Sequence, residues 1–319
     1  MGRSKNVKPI RILMCVGTLL LLFCLGSIFV FAEIESMQIK GEQTAEGIYN
    51  SEVEVEYQAT DEVGIQLVEL FLNDERVGQN LLSEPYTNVT GSFTLDSERL
   101  IKEEAEDYSY KLKLVVTNIE GETQEEDRQI KADVSIPELV LSGIQDHAIY
   151  QNSRTVKVSL RDKNLEQAQF EVIVKRDSNV IAQEVIRNGN YEFEANEEGT
   201  YTIHAIAKDK GEHTVEMERT FQIDSSRPEI KQVAVTGHKK DGYSWYDDSV
   251  QISADLTDGQ SGLKQMEIQI NGNPYKKESY QNEKESHIEV PIPKTWIQEH
   301  SSKNGSYSVQ IQVVDAAGN

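Results

Sequence analysis

The chain has almost no cysteine, and the two cysteines that it has lie in one apolar stretch. Cys15 and Cys24 both fall within residues 12–32, so none occurs from residue 33 to residue 319. The long second part therefore has no disulfide, thiolate metal site or cysteine nucleophile. It also lacks a Gly-x-Ser-x-Gly elbow, a phosphate-binding loop and a His-x-x-x-His pair. We expect no catalytic residue in this chain and no enzymatic activity.

Basic residues are scarce relative to acidic ones. The 319 residues contain 32 Lys and Arg against 54 Asp and Glu, for a formal net charge of −22. A surface of this sign repels phosphate backbones, which excludes nucleic acid as a partner. With 38% hydrophobic and 27% charged residues, the composition is that of folded domains.

Long hydrophobic runs are also rare, and the chain has one. Residues 12–32 carry no charge and follow four basic residues. As a helix they would span about 31 Å, enough to cross a bilayer. We predict that residues 1–32 are a signal peptide cleaved after Ala32, or else an uncleaved N-terminal membrane anchor. Because basic flanks stay inside, the rest is extracellular or at the cell surface either way, and only residues 12–32 contact the membrane.

The exported part repeats one module. In each copy a tyrosine stands eight residues before an Asn or Asp, in segments 110–118, 201–209 and 307–315. Apolar residues occupy alternate positions between them, which predicts a strand with one buried face. The next strand matches without a gap between the first two copies, at an offset of 91 residues. These matches define module 1 (37–134), module 2 (135–226) and module 3 (227–319).

The module length and pattern predict an all-β fold. Short alternating strands, with turn signals between them, are typical of antiparallel β-sandwiches. No segment has a long helical period, although residues 97–106 and 296–300 are compatible with one or two helical turns between strands. We therefore expect three tandem sandwiches after the N-terminal apolar helix.

Two motifs resemble a known family. Val313-Val-Asp-Ala-Ala-Gly-Asn319 and the joint Phe221-Gln-Ile-Asp-Ser-Ser-Arg-Pro228 are similar to tandem bacterial Ig-like modules of surface proteins, especially those of Gram-positive bacteria. The resemblance covers residues 37–319 and implies immunoglobulin-like sandwiches with a spacer, adhesion or carbohydrate-associated role. It transfers no catalytic residue, and the fold alone does not choose among these roles. Module 1 departs from the motif after Asn118.

Module 3 is shorter than module 2 at its C-terminal end. Fifteen residues follow Asp209 up to and including Asp224 and contain the closing strand, whereas four follow Asp315. We expect module 3 to lack its last strand and the reading frame to continue. Strand donation by another chain is the alternative.

Aromatic residues supply the candidate sites. Tyr110, Tyr201 and Tyr307 recur at one position of the module, which predicts a structural role with the ring buried and the hydroxyl bonded to backbone. Tyr243 and Trp245 are additions to module 3 and are tentative binding residues for a sugar or another partner. Packing at the end of the module is the alternative for this pair. A host or cell-wall glycan, or a surface protein, would be the partner.

We expect no cofactor, but acidic residues near the joints leave calcium open. Asp133 with Glu138, and Asp224 with Glu229, flank the two joints, while Asp255, Asp258 and Ser261 lie in one loop. No segment offers a complete set of ligands, so solvated charge is the favoured interpretation.

These observations favour an exported, non-enzymatic surface protein that acts as a stalk or spacer, with adhesion as a further role. Two alternatives remain open. The chain could be the accessory region of a larger enzyme whose catalytic domain follows Asn319, or it could be a carbohydrate-binding module.

Overall fold

The computed structural model describes residues 32–102, 108–163, 168–241, 246–300 and 305–319. The predicted signal or anchor segment lies almost entirely outside them, since residues 1–31 are not described. Within the described ranges, no helix combines the length and the apolar character needed to cross a bilayer.

The elements of module 1 are β1 (Glu33–Lys40), β2 (Val53–Leu72), β3 (Glu75–Leu95), α1 (Ser97–Lys102), β4 (Ser109–Asn118) and β5 (Thr123–Lys131). The strands form one continuous five-stranded sheet in the order β1-β2-β4-β5, with β3 also paired to β2. The residues of β2 up to Thr60 pair with β1, and those from Ile65 onward pair with β4, while β3 follows both halves. The register shifts between these two residues, and buried residues from both halves of β2 belong to one hydrophobic core.

The strands of module 2 are β6 (Glu138–Ser142), β7 (Ala148–Tyr150), β8 (Arg154–Arg161), β9 (Gln169–Arg176), β10 (Asn179–Ile186), β11 (Asn190–Ala195), β12 (Gly199–Lys208) and β13 (Thr214–Ile223). They form two sheets, in the orders β10-β9-β12-β13-β7 and β11-β8-β6. Neighbouring strands are antiparallel except for β7 and β13, which run parallel.

The elements of module 3 are β14 (Glu229–Lys239), β15 (Tyr246–Thr257), β16 (Leu263–Ile270), β17 (Asn273–Glu283), β18 (Glu285–Ile292), α2 (Lys294–Glu299) and β19 (Val309–Asp315). The strands form two three-stranded sheets, in the orders β14-β15-β18 and β17-β16-β19. All of their pairs are antiparallel.

The all-β architecture of several antiparallel sheets is as predicted. Each of three hydrophobic clusters draws its buried residues from one sandwich: one around β2 and β4, one around β9 and β12, and one around β15 and β16. The expected helical turns are also present, as α1 and α2. The predicted limits of the modules stay a prediction.

Candidate functional site

The residue eight positions after the repeated tyrosine forms the same turn in every module. The Oδ1 atoms of Asn118, Asp209 and Asp315 accept the backbone N–H four residues later, at 2.9, 2.8 and 2.8 Å. These three side chains are at most 6% exposed. Each turn therefore holds a polar side chain at the end of the core.

The first junction, where module 1 meets module 2, consists of Asn50, Asp133, Asp209, Gly211 and His213. The Gly211 N–H donates to Asp133 Oδ2 at 3.2 Å, and Asn50 Nδ2 donates to the Gly211 carbonyl at 3.1 Å. Asp133 and Asp209 are 3% and 6% exposed. The turn of module 2 is thus bonded directly to both a strand end and a loop of module 1.

The ring of His213 lies between two polar partners in this junction. Its Nδ1 lies 2.9 Å from Asp209 Oδ2, and its Nε2 lies 3.0 Å from the Asn50 carbonyl oxygen. The Asn50 carbonyl is an acceptor and the Asp209 carboxylate is another, so a ring protonated at both nitrogens satisfies both contacts. Burial alone lowers the pKa of His213, but the hydrogen bonds to Asp209 and Asn50 outweigh burial, and the pKa lies above its ordinary value.

The first junction should weaken as the pH rises. A raised pKa in the folded state means that the stabilisation by His213 is complete below the ordinary pKa of about 6.5 and is lost as the pH passes the folded value. We expect a loss on the order of 1 kcal/mol, since a hydrogen bond to a charged group is replaced. The thermal unfolding of the full chain, followed from pH 6 to pH 9, measures this loss.

The matched variant is His213→Asn, because Asn319 occupies the equivalent position in module 3. An amide keeps a donor toward Asp209 but does not titrate. The part of the pH dependence above pH 6.5 that comes from His213 should disappear in this variant, while His287, whose pKa is raised by its hydrogen bond to Asp255, keeps its own part. An unchanged dependence would assign it to other groups.

The second junction, where module 2 meets module 3, brings three carboxylates together. Asp224 follows β13, Asp258 follows β15, and Asp315 ends β19. One oxygen from each lies within 4.8 Å of the others, and the residues are 0, 4 and 0% exposed. Hard oxygen ligands of this kind are what calcium prefers.

Backbone and amide donors fix these carboxylates in place. Asp224 Oδ2 accepts the Ser261 N–H at 2.9 Å, and Asp258 Oδ1 accepts the Gly262 N–H at 2.5 Å. The side-chain amide of Asn319 donates to the Asp224 carbonyl at 2.8 Å and to Asp315 Oδ2 at 2.9 Å. The cluster therefore spans both modules.

The favoured prediction that the joint acids are solvated is wrong for Asp133, Asp224 and Asp258, which are buried. It holds for Glu138 and Glu229, which are exposed. The expected grouping of Asp255 with Asp258 is also wrong, since Asp255 pairs with His287 at 2.6 Å instead. For Asp315, the third member of the cluster, the sequence shows only a place at the end of the repeated segment 307–315.

The repeated tyrosines all bond through their hydroxyls to backbone carbonyls. Tyr110, Tyr201 and Tyr307 donate to residues 100, 197 and 297, at 2.7, 2.8 and 2.9 Å. The Tyr110 and Tyr201 rings are buried. Tyr243 and Trp245, the tentative binding residues, lie outside the described residues.

Comparison with known proteins gives likenesses of fold only. No family profile and no curated protein matches the chain. Three of the similar solved structures serve as examples. The tetra-tandem repeat in the extending region of a large adhesion protein is 14% identical with a TM-score of 0.34, covering 91% of this chain and 71% of that chain.

The structure on host cell surface retention of a 1.5-MDa bacterial ice-binding adhesin is 15% identical with a TM-score of 0.27, covering 91% of this chain and 94% of that chain. The fibronectin(III)-like modules of Clostridium thermocellum CbhA are 17% identical with a TM-score of 0.23, covering 60% of this chain and 93% of that chain. Similarity at this level assigns no ligand and no activity.

Proposed function

We propose that the chain is an exported, non-enzymatic stalk of a cell surface, whose modules hold a further region or partner away from the membrane. The observation that carries this proposal is the direct bonding across both junctions. Gly211 of module 2 donates to Asp133 of module 1, and Ser261 of module 3 donates to Asp224 of module 2. Bonded joints restrict bending, which a spacer requires.

The joints are also short in sequence. Three residues separate Asp133 from Pro137 and Asp224 from Pro228. Proline restricts both its own backbone and that of the residue before it. A short, restricted joint favours an array in which successive modules follow one another with limited freedom.

The location outside the cell is supported by the sequence of the leading segment, in which the charge-free residues 12–32 follow four basic residues. Adhesion is the second part of the proposal, with a glycan or a surface protein as the partner. Tyr243 and Trp245 are the residues proposed to bind it.

Small-angle X-ray scattering of residues 33–319 tests the stalk. One compact body of this length has a radius of gyration of about 19 Å. A string of three modules gives a value well above that, and a value near 19 Å would contradict the proposal. Protease treatment of intact cells that make the protein should remove the modules, which tests the location.

A further inference from the structure

We propose that Asp224, Asp258 and Asp315 form a calcium site that bridges modules 2 and 3. This inference does not rest on the proposed function. It assigns a metal to residues of two modules, and it predicts that the second junction depends on the ion.

The first argument is charge. The three carboxylates lie within 4.8 Å of one another and are buried, which strengthens their repulsion. Among the residues that the structure describes, no Lys, Arg or His forms an ion pair with any of the three. Buried charge without an opposite charge is costly, and a bound cation removes that cost.

The second argument is an oxygen without a donor. Asp258 Oδ2 is buried and has no hydrogen-bond partner, although Oδ1 of the same carboxylate accepts two backbone N–H groups. Buried acceptors in native proteins are nearly always satisfied. A metal bound among the three carboxylates would satisfy this oxygen, since Asp258 belongs to the cluster.

Module 1 shows how the same place is satisfied without a metal. Asp61 Oδ1 accepts the Gly64 N–H at 2.6 Å, as Asp258 Oδ1 accepts that of Gly262. Asp61 Oδ2, however, receives the side-chain amide of Asn118 at 3.2 Å. Asn118 occupies the repeat position of Asp315, so module 3 has an acceptor where module 1 has a donor.

Module 2 supplies a different solution at the first junction. There the titratable ring of His213 lies beside Asp209, with 2.9 Å between Nδ1 and Oδ2. Asn319, at the same position of module 3, is neutral and compensates no charge. The three modules thus use an amide, a histidine ring and, by our inference, an ion from solution.

Calcium fits the donors better than other metals. All three side chains offer carboxylate oxygens, which excludes the softer metals that prefer sulfur or imidazole. Calcium accepts six to eight oxygens in flexible geometry, whereas magnesium demands a near-ideal octahedron. Calcium sites of extracellular modules have dissociation constants of about 10⁻⁴ to 10⁻³ M.

The test is a calcium titration of the full chain, held in a nonionic detergent, after EDTA treatment and dialysis into about 0.15 M KCl to screen surface charge. Calorimetry should find one site with a dissociation constant of about 1 mM or lower. The Tm of the calcium-loaded chain should exceed that of the EDTA-treated chain, because an ion that binds the folded state stabilises it.

Asp315→Asn is the decisive variant, because it reproduces the Asp61–Asn118 pair of module 1. We expect at least about a tenfold weaker affinity for calcium and a Tm that no longer responds to EDTA. Glu285→Gln is the control, since it removes the same charge from an exposed position of module 3. Its calcium affinity should equal that of the parent chain.

The proposal would be overturned if calcium neither bound nor raised the Tm at concentrations up to about ten times the weakest expected dissociation constant. So would an Asp315→Asn chain that binds as the parent does. Should circular dichroism show that this variant is unfolded, Asp258→Asn provides the same test, because an amide keeps the Oδ1 acceptor. The radius of gyration of the EDTA-treated chain distinguishes failure of the metal site from failure of the stalk. A chain that binds no calcium but has a radius well above that of one compact body lacks only the metal site.

Discussion

Replacing Tyr201 with alanine is expected to lower the free energy of unfolding of module 2 by about 2–4 kcal/mol. The side chain is 1% exposed, and its ring stacks on Phe221 with centroids 5.1 Å apart and planes at 10°. Phe193 packs on it at 6.1 Å. Truncation removes these contacts and leaves a cavity between the two sheets, which the surrounding strands fill only in part.

Tyr201→Phe isolates the hydroxyl from the ring. It removes the bond to the Glu197 carbonyl but keeps the stacking, so its cost should be about 0.5–1.5 kcal/mol. Hydrogen exchange of the β9, β12 and β13 amides in the full chain measures both variants. Equal protection of these amides in the parent and in Tyr201→Ala would show that the ring does not support the core.

Gly143→Ala is expected to destabilise module 2 by at least about 2 kcal/mol. Gly143 has a φ of +92°, in the region that disfavours L side chains. A Cβ atom built at this residue would overlap the carbonyl oxygen of Thr155, which is a backbone atom and cannot rotate away. Conformational strain and a steric clash therefore act together.

Gly121→Ala separates these two effects. Gly121 has a φ of +82°, but nothing lies within 4 Å of a Cβ built there. Its cost should be that of the backbone conformation alone, about 1 kcal/mol. Hydrogen exchange of the strands in the affected module again measures the cost. Similar losses for the two variants would mean that the Thr155 carbonyl moves freely, contrary to our expectation.

Local patterns were sufficient for the strands whose apolar residues alternate without interruption. Leu112, Leu114 and Val116 of β4 and Ile203 and Ala205 of β12 are buried as the period of two predicts. The long strands β2 and β3 could not be predicted in this way. Glycine and aspartate near residue 61 indicate a turn, and only pairing with β3 on both sides makes the segment one bent strand.

The buried acids were predictable from the same period, extended by one step. Ile252, Ala254 and Leu256 face the core, and Asp258 is the next residue on that face. Ile203, Ala205, Ala207 and Asp209 follow the same rule. Sequence reasoning grouped the acids by their proximity along the chain. The meeting of Asp224 with Asp258 and Asp315 depends on how two modules contact each other, which no local pattern contains.

The parallel pairing of β7 with β13 has a mechanical consequence. β7 lies near the start of module 2 and β13 at its end, and they are joined by bonds such as Asp224 N–H to the Tyr150 carbonyl, at 2.9 Å. Tension that pulls the start of β7 backward and the end of β13 forward slides one strand along the other. The bonds between them are then loaded in shear and must rupture together, whereas an antiparallel pair pulled from its open end would unzip one bond at a time.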